Sequence, residues 1–299
     1  MIVSIGEPMI EFNQIEARHF LQGFGGDSSN MIIAAARSGA QTAYFTRVGD
    51  DEFGRMLLEL WQREGVETSA VIIDREAPTA AYFVTHGPKG HAFSYLRAGS
   101  AASRMRPADL PKEMIENAKY VHASGISIAI SLSACEAVFA AFERARGKIS
   151  LDSNLRLKLW PLERAREMIG RAAAMADYFF PSIEDARQLS GVDSPEGNLE
   201  WAHALGARTV FLKLGPDGVL VSDGKTHERI PGIKVKAVDA TGAGDCFCGA
   251  ALARLAAGDS ILDAARYANA AAALATTGFG AVDPLPRPEA VRELMSRSQ

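Results

Sequence analysis

The sequence predicts an α/β fold in which helices wrap a mainly parallel sheet, with a small second β-sheet beside it. Strand-like and helix-like segments alternate along most of the chain, as they do in proteins built on a parallel sheet. The 299 residues, 47% of them hydrophobic, are enough to bury one large core. The alternation stops between residues 71 and 97, where strand-like segments follow one another. We therefore expect one domain over residues 1–299, with the small sheet contributed by residues 9–22 and 71–97.

The main sheet and its helices are predicted from apolar runs and their boundaries. Residues 1–5 form a short apolar strand, and residues 43–48 form the next. Between them, Ser28 or Ser29 can cap a helix that ends at residues 38–39. Later strands are expected at residues 120–123, 148–151, 178–180 and 209–214, with helices ending near residues 65, 144, 175 and 189 and further helices at 259–277 and 288–296.

The small sheet is predicted from three strand-like runs, at residues 71–74, 79–86 and 92–96. Residues 87–90 (Gly-Pro-Lys-Gly) are typical of a hairpin turn between the last two runs. Residues 9–12 and the segment near Phe20 are the other strands that we expect in this sheet.

A glycine-rich segment, residues 239–245 (Asp-Ala-Thr-Gly-Ala-Gly-Asp), lies between an expected strand at 233–238 and an expected buried helix at 246–257. Gly242 and Gly244 allow a tight turn and bring backbone N–H groups close to a ligand. The N-terminus of the following helix adds unsatisfied donors and a partial positive charge. The segment therefore suits an anion such as a phosphate group.

Asp245 places a carboxylate at the mouth of this expected anion site. One role for such a carboxylate is to take a proton from a hydroxyl group that attacks a phosphorus atom. The alternative is that Asp245 only caps the helix, as acidic residues often do. A single Gly-x-Gly-Asp favours the cap, so the choice depends on the rest of the chain.

Two separated patterns resemble the ribokinase-like (PfkB) family of carbohydrate kinases. Residues 239–245 resemble the C-terminal signature of that family. Residues 25–30 (Gly-Gly-Asp-Ser-Ser-Asn), followed by residues 48–54 (Val-Gly-Asp-Asp-Glu-Phe-Gly), resemble its N-terminal signature. The resemblance covers essentially the whole chain. The sequence contains neither a Gly-x-x-x-x-Gly-Lys-Ser/Thr loop nor a correctly spaced Gly-x-Gly-x-x-Gly, so competing nucleotide motifs are missing.

This resemblance implies a ribokinase-like three-layer fold whose small sheet is a lid over the sugar and often a dimer interface. It also implies phosphoryl transfer from ATP with Mg²⁺, with a monovalent cation such as K⁺ as a further candidate. Gly242, Ala243, Gly244 and Asp245 would form the catalytic loop. The resemblance also implies that residues 215–218 (Gly-Pro-Asp-Gly) line the ATP site, and the alternative is that they form only a simple hairpin turn. The resemblance places nucleotide contacts at Asn154, Ser182, Lys213, Gly215, Gly218, Gly242, Gly244 and Asn269.

Three local patterns resemble 2-keto-3-deoxygluconate kinases more than ribokinases or adenosine kinases. They are residues 6–8 (Gly-Glu-Pro), residues 95–101 (Tyr-Leu-Arg-Ala-Gly-Ser-Ala), and residues 152–156 (Asp-Ser-Asn-Leu-Arg) continuing to residues 159–161 (Leu-Trp-Pro). This resemblance implies that the sugar acid contacts Gly26, Asn30, Tyr82, Tyr95, Arg97, Arg156 and Asp245.

Two arginines are suited to a substrate of this kind. Arg97 ends one expected strand and Arg156 follows another, so both can face the same cleft. A keto acid carries a carboxylate, which guanidinium groups bind through paired, charge-assisted hydrogen bonds. The alternative for each arginine is a surface salt bridge, and for Tyr82 and Tyr95 a half-buried position on a strand.

The expected magnesium segment departs from the family pattern. The family usually has Asn-x-x-Glu after a mid-chain strand, whereas this chain has residues 181–186 (Pro-Ser-Ile-Glu-Asp-Ala). Ser182 takes the Asn position and Asp185 takes the Glu position, with Glu184 beside it. Asp185 or Glu184 can still reach magnesium through water, and the ATP phosphates are expected to hold most of the metal's ligand sites.

Composition excludes several other classes of protein. The net charge is −4, with lysines and arginines dispersed, so we expect no nucleic-acid surface. We find no signal-peptide pattern and no apolar run near the roughly 18 residues of a membrane span. Cys135, Cys246 and Cys248 do not form a disulfide framework or a zinc site, and the last two are predicted packing residues. We therefore expect a soluble cytoplasmic protein.

The sequence thus predicts an ATP-dependent kinase that phosphorylates the terminal 6-hydroxyl of 2-keto-3-deoxygluconate, with Asp245 as the general base. Its partners would be the sugar acid, ATP, and further copies of the chain in a homodimer or higher oligomer joined through the lid. The nearer alternative is a kinase of the same fold that acts on a neutral sugar such as fructose or ribose. A more distant alternative is a non-catalytic sugar-binding regulator, against which the intact Asp245 loop argues.

Overall fold

The computed structural model describes residues 1–87 and 90–297. In chain order its strands are β1 (Ile2–Ile5), β2 (Met9–Glu16), β3 (His19–Gly25), β4 (Thr42–Gly49), β5 (Val66–Glu67), β6 (Val71–Asp74), β7 (Ala80–Gly87), β8 (Gly90–Leu96), β9 (Tyr120–Ser124), β10 (Lys148–Asp152), β11 (Tyr178–Phe180), β12 (Thr209–Lys213), β13 (Val219–Ser222) and β14 (His227–Ile230).

The helices surround these strands and follow the predicted alternation. In chain order they are α1 (Asp27–Arg37), α2 (Glu52–Arg63), α3 (Lys112–Asn117), α4 (Gly125–Ala129), α5 (Leu132–Arg144), α6 (Leu162–Met175), α7 (Ile183–Ser190), α8 (Pro195–Ala204), α9 (Ala243–Ala257), α10 (Ile261–Ala275) and α11 (Pro288–Arg297). None of the helices in the described ranges is long and apolar enough to cross a membrane.

The main sheet has the strand order β14-β13-β12-β11-β10-β9-β1-β4-β5, with β6 also paired to β4. The pairs from β12 to β5 are parallel, and β13 and β14 add antiparallel strands at one edge. Helices α1, α2, α9 and α10 pack in one buried cluster, whereas α5, α6, α7 and α8 pack in another. The three-layer α/β fold predicted from the sequence is therefore confirmed.

The small sheet has the order β3-β2-β7-β8, in which β2 and β7 run parallel and the other two pairs are antiparallel. The prediction that residues 71–74 join this sheet is wrong. They form β6, which pairs with β4 from Val71 opposite Thr46 to Asp74 opposite Gly49. A short apolar run does not specify its partner strand, and here the α2 crossover returns the chain to the main sheet. Pro88 and Lys89, in the predicted hairpin turn, lie outside the described residues.

Two local predictions in the main body are also wrong. Helix α1 begins after Gly26, which adopts φ 92°, so Ser28 and Ser29 lie inside the first turn and do not cap it. Ser29 Oγ instead accepts a hydrogen bond from Trp61 Nε1 over 2.9 Å. Residues 233–238 are not a strand, because the Val238 N–H bonds to the Thr276 carbonyl at the end of α10 over 2.7 Å.

Helices α1 and α9 approach each other closely at Gly249. A Cβ atom at this position would lie 2.2 Å from the Met31 carbonyl oxygen, which belongs to the backbone of α1. The glycine therefore allows the contact that brings the start of α1 beside the start of α9. Both helix N-termini face the site described below.

We expect Gly249→Ala to lower the melting temperature, because overpacking of this kind costs about 1–3 kcal/mol. Gly170→Ala, on α6, is the matched control. Its added Cβ would lie 3.5 Å from Leu205 Cδ2, which is an ordinary contact. The melting temperature of this variant should therefore be unchanged or slightly higher than that of wild type. Equal melting temperatures for the two variants would show that α1 and α9 can move apart to admit the methyl group without loss of stability.

Candidate active site

A cavity of about 1310 Å³ opens between the carboxyl ends of the parallel strands and the small sheet. Ligand sites of open α/β sheets commonly lie at this edge. All the residues that the sequence singles out for catalysis, substrate, nucleotide or metal line it. They are Gly26, Asn30, Tyr82, Tyr95, Arg97, Asn154, Arg156, Ser182, Glu184, Asp185, Lys213, Gly215, Gly218, Gly242, Ala243, Gly244, Asp245 and Asn269.

Asp239, the first residue of the glycine-rich segment, holds the loop in place through hydrogen bonds. Asp239 Oδ1 accepts hydrogen bonds from the Thr241 N–H (2.9 Å) and hydroxyl (2.7 Å), and Oδ2 accepts one from the Gly280 N–H (3.0 Å). Gly242 then adopts φ 76°, and a Cβ there would lie 2.9 Å from the Ala281 carbonyl oxygen. Both features require glycine at position 242.

Helix α9 begins at this loop without a side-chain cap. Gly242 occupies the cap position, and Asp245 lies in the first turn. The Asp245 carboxylate accepts a hydrogen bond from Asn30 Nδ2 over 2.8 Å, across the junction of α1 and α9. The helix-cap interpretation of Asp245 is therefore wrong. The start of α9 remains open to an anion in the cavity.

Asp245 is a stronger base than an ordinary aspartate. Burial raises the pKa of its carboxyl group, and the nearby carboxylates of Asp27 and Asp152 raise it further. The Asn30 hydrogen bond and the Lys213 ammonium partly oppose this rise in pKa. A raised pKa suits a group that must accept a proton.

Three buried polar atoms on residues of the cavity wall have no hydrogen-bond partner among the described residues. They are Asp27 Oδ1, Asn30 Oδ1 and Arg97 Nε, and all three residues line the cavity. Buried polar groups are normally paired, so this set indicates a polar ligand. Two acceptors and one donor match a molecule that carries several hydroxyl groups.

Arg97 does not stand in the cavity as a free cation. Its Nη2 donates to Glu7 Oε2, and its guanidinium carbon lies 5.4 Å from the centre of the Tyr95 ring. Glu7 is fully buried and also accepts a hydrogen bond from the Ser100 hydroxyl over 2.8 Å. Burial raises the pKa of Glu7, and Arg97 opposes that rise. The charge of Arg97 is therefore already paired within the protein.

Arg156 differs from Arg97 in this respect. It is exposed on the cavity wall, and its Nη1 donates to the neighbouring Leu155 carbonyl over 2.8 Å. Within residues 1–87 and 90–297 it forms no ion pair. Of the two arginines predicted to grip a carboxylate, Arg156 is the one whose charge is available.

The tyrosines of the small sheet form an aromatic wall of the cavity. The Tyr82 and Tyr95 rings have centres 5.9 Å apart, on neighbouring strands β7 and β8. The Tyr82 hydroxyl donates to Glu11 Oε2 on β2. This bond fixes the ring of Tyr82 against the cavity and satisfies its polar end.

Side chains on the predicted nucleotide side mostly hold the protein together. Asn269 Nδ2 donates to the Pro231 carbonyl over 2.9 Å, and Asn154 Nδ2 donates to Asp27 Oδ2 over 3.0 Å. Ser182 caps α7, since its hydroxyl accepts a hydrogen bond from the Asp185 N–H over 3.0 Å. The predicted nucleotide surface is therefore built largely from backbone and glycines. Gly215 and Gly218 are the glycines at the β12 end, with φ 60° and 95°.

The comparison with known proteins agrees with this geometry. The family model described as pfkB family carbohydrate kinase matches residues 1–288. The chain belongs to the pfkB family of carbohydrate kinases. It is 36% identical to the 2-dehydro-3-deoxygluconokinase of Thermoproteus tenax, over 98% of this chain and 94% of the relative.

Relatives named as fructokinases are about as similar to this chain. The probable fructokinase-5 of Arabidopsis thaliana is 35% identical over 99% of this chain and 97% of that protein. The crystal structure of fructokinase from Vibrio cholerae O395, in its fructose, ADP and calcium ion bound form, is 29% identical. It superposes with a TM-score of 0.91 over 98% of each chain. These comparisons establish a carbohydrate kinase without choosing its sugar.

The two acids of the predicted magnesium segment have different surroundings. Asp185 is buried, and its Oδ2 accepts hydrogen bonds from the Ser153 hydroxyl (2.7 Å) and the Leu155 N–H (3.0 Å). Burial raises the pKa of Asp185. Glu184 is exposed on the cavity wall. The described residues contain no cluster of three or more His, Cys, Asp or Glu side chains that could hold a metal directly.

Sequence analysis missed four acids that shape the kinase site, namely Glu7, Glu11, Asp27 and Asp152. Three of them lie in segments already quoted, at residues 6–8, 25–30 and 152–156. The sequence signal that could have identified these three acids is a charged residue within a motif whose other residues are mostly uncharged. Their partners could not be predicted, because Glu7 and Arg97 are 90 positions apart in the chain.

Proposed function

We propose that this kinase transfers the γ-phosphoryl group of ATP to the terminal 6-hydroxyl of 2-keto-3-deoxygluconate, giving 2-keto-3-deoxy-6-phosphogluconate. The observation that carries the proposal is the Asp245 carboxylate. It lines the cavity at the open start of α9, where it accepts a hydrogen bond from Asn30 and lies near Asp27, and each of these two residues has an unpaired buried oxygen. Asp245 would accept the hydroxyl proton as the oxygen attacks phosphorus.

The start of α9 and the 242–245 loop would hold the nucleotide. The uncapped helix N-terminus and the bare glycine backbone suit phosphate oxygens. ATP supplies the phosphoryl group, and Gly215, Gly218 and Asn269 lie on the wall that would face the rest of it. The ADP in the V. cholerae fructokinase structure supports a nucleotide as the phosphoryl donor of this kinase.

Magnesium would be held by ATP phosphates and water, since the described residues offer no ready-made cluster of metal ligands. Glu184 is exposed at the cavity, whereas Asp185 already accepts two hydrogen bonds. We therefore favour Glu184 as the acid that reaches the metal through water. A monovalent cation such as K⁺ stays a prediction.

The carboxylate of the sugar acid would be bound at Arg156, with Arg97 lending its Nε–H. Arg156 is an available guanidinium on this wall, and its planar fork suits a carboxylate. The hydroxyl groups would pair with Asp27 Oδ1 and Asn30 Oδ1. Anchoring the far end of the substrate would fix the distance between its 6-hydroxyl and Asp245.

A neutral sugar is the second candidate, and one observation favours it. Because Glu7 already neutralises Arg97, the site has one free guanidinium instead of two for a carboxylate. Relatives named as fructokinases are also about as similar to this chain as those named 2-dehydro-3-deoxygluconokinase. A non-catalytic regulator is disfavoured by the intact loop and by Asp245.

The proposal is tested by ADP release from MgATP across a panel of keto acids and neutral sugars. We expect the highest kcat/KM with 2-keto-3-deoxygluconate and a product phosphorylated at its terminal carbon by phosphorus NMR. Faster turnover of fructose or ribose would transfer the assignment to a neutral-sugar kinase. No ADP release with any sugar would support a regulator.

We also propose that two copies of the chain pair through the small sheet. Its edge strands are β3 and β8, and Phe20, Leu21 and Leu96 are exposed on them. An open edge with apolar side chains is normally covered, and a two-fold dimer is the commonest solution. Light scattering at micromolar concentration should give the mass of a dimer. A monomer mass, unchanged on adding sugar and nucleotide, would contradict this proposal.

We further propose a cytoplasmic location. Cys135, Cys246 and Cys248 are buried and free, as is usual for proteins of a reducing compartment. Their burial supports the prediction that Cys246 and Cys248 are packing residues on α9.

A further inference from the structure

A buried ion pair lies beneath the glycine-rich loop, outside the steps described above. Lys213, at the end of β12, reaches past β11 and donates through Nζ to Asp152 Oδ2, at the end of β10, over 2.8 Å. The two side chains are 13% and 6% exposed. Burial opposes the charge of Lys213, but Asp152, Cys248 and Asp245 together raise its pKa, so the ammonium stays protonated.

Cys248 connects this pair to α9, one turn after Asp245. Its thiol donates to Asp152 Oδ2 over 3.3 Å, and the sulfur lies 3.7 Å from Lys213 Nζ. A Cβ atom at Gly244 would lie 3.4 Å from the same Nζ. The ion pair therefore supports the first turn of α9, and the loop before it, from below.

Titratable groups from several elements interact electrostatically with Asp245. They are Asp27 on α1, Tyr82 on β7, Asp152 on β10, Lys213 on β12, and both Cys246 and Cys248 on α9. Lys213 carries the positive charge of this set, and Asp27 and Asp152 carry negative charges. The ion pair thus places two opposite, fixed charges near the proposed base.

We propose that Lys213 and Asp152 are positioning residues, which hold the 242–245 loop and set the basicity of Asp245, and that Lys213 is not a ligand of the nucleotide. Loss of the anion should make Asp245 easier to ionise, whereas loss of the cation should make it harder. This inference rests on the proposed role of Asp245 as the base. It needs no particular sugar.

The test is the pH dependence of kcat/KM, at saturating MgATP, with the best substrate from the sugar panel. Wild type, Asp152→Asn, Lys213→Met and the double variant are compared. The acidic limb should move to lower pH in Asp152→Asn and to higher pH in Lys213→Met. Each shift should be about one unit, the size expected for a unit charge about 10 Å away at an effective dielectric near 20.

The double variant leaves no unpaired charge buried, so it should fold even where a single variant does not. Its acidic limb should lie between those of the two single variants, and ADP affinity by calorimetry should change little in all of them. Superimposed pH profiles would overturn the proposal. So would a Lys213→Met variant that binds ADP much more weakly with an unmoved profile, because Lys213 would then be a nucleotide ligand.

Asp245→Asn separates this inference from the function on which it rests. If that variant keeps its turnover, the assignment of the base fails as a whole. If its turnover is lost while the four pH profiles coincide, only the positioning role of Lys213 and Asp152 fails.

Discussion

Asp245→Asn should reduce kcat by at least ~10²-fold, the usual contribution of a general base. The amide keeps the size of the side chain and can still contact Asn30, but it cannot accept the proton of the attacking hydroxyl. Binding of ADP and of the sugar should be largely retained, and calorimetry checks this. The loss should therefore appear in kcat and kcat/KM alike, as expected for an interaction needed in the transition state.

Asp263→Asn is the matched control for this variant. Asp263 lies in the first turn of α10, as Asp245 does in α9, but it is on the surface and contacts the Ser260 cap. Its replacement should leave kcat unchanged. If the two variants have similar kcat values, the role of Asp245 is that of any acid near a helix start, and the proposed chemistry fails.

Arg156→Ala should lower kcat/KM for 2-keto-3-deoxygluconate by the equivalent of about 2–5 kcal/mol, the cost of removing one partner of a desolvated charge pair. Any activity on fructose or ribose should fall much less, because these sugars lack the carboxylate. Arg156→Lys should retain part of the activity, since it keeps the charge but loses the planar fork. Steady-state rates with each sugar give the comparison.

Arg97→Ala is expected to behave differently, because it leaves Glu7 buried without its partner. Removing one member of a buried pair costs about 3–5 kcal/mol of stability, so the melting temperature should fall. Activity on the keto acid and on neutral sugars should fall together. Arg164→Ala, on the outer surface of α6, removes an exposed arginine paired to Glu167 and controls for the loss of charge. Equal effects of Arg156→Ala on keto acid and neutral sugar would make Arg156 structural too.

Much of the fold could be predicted because its signals are local. Glycine positions, apolar runs and alternation locate most strands and helices within a few residues. Pairing between distant segments is not encoded locally, which is why β6 was placed in the wrong sheet. Residues 233–238 failed for a related reason, since their backbone bonds to α10 and to no neighbouring strand.

The candidate site was predictable in its membership but not in its internal bonding. Sequence patterns brought the expected residues to one cavity, because several of them follow strands of the main sheet whose carboxyl ends share an edge, and the small sheet adds the tyrosines. Charge compensation depends on three-dimensional neighbours. The pairing of Arg97 with Glu7, and of Lys213 with Asp152, changes what each cation can do and was not visible in the sequence.

The most direct test of the central claim is a competition between two sugars. With 2-keto-3-deoxygluconate and fructose at equal concentration and ATP limiting, the ratio of the two phosphorylated products equals the ratio of their kcat/KM values. We expect the phosphorylated keto acid to dominate in wild type, and the ratio to fall towards unity in Arg156→Ala. An excess of fructose phosphate in wild type would contradict the proposed substrate.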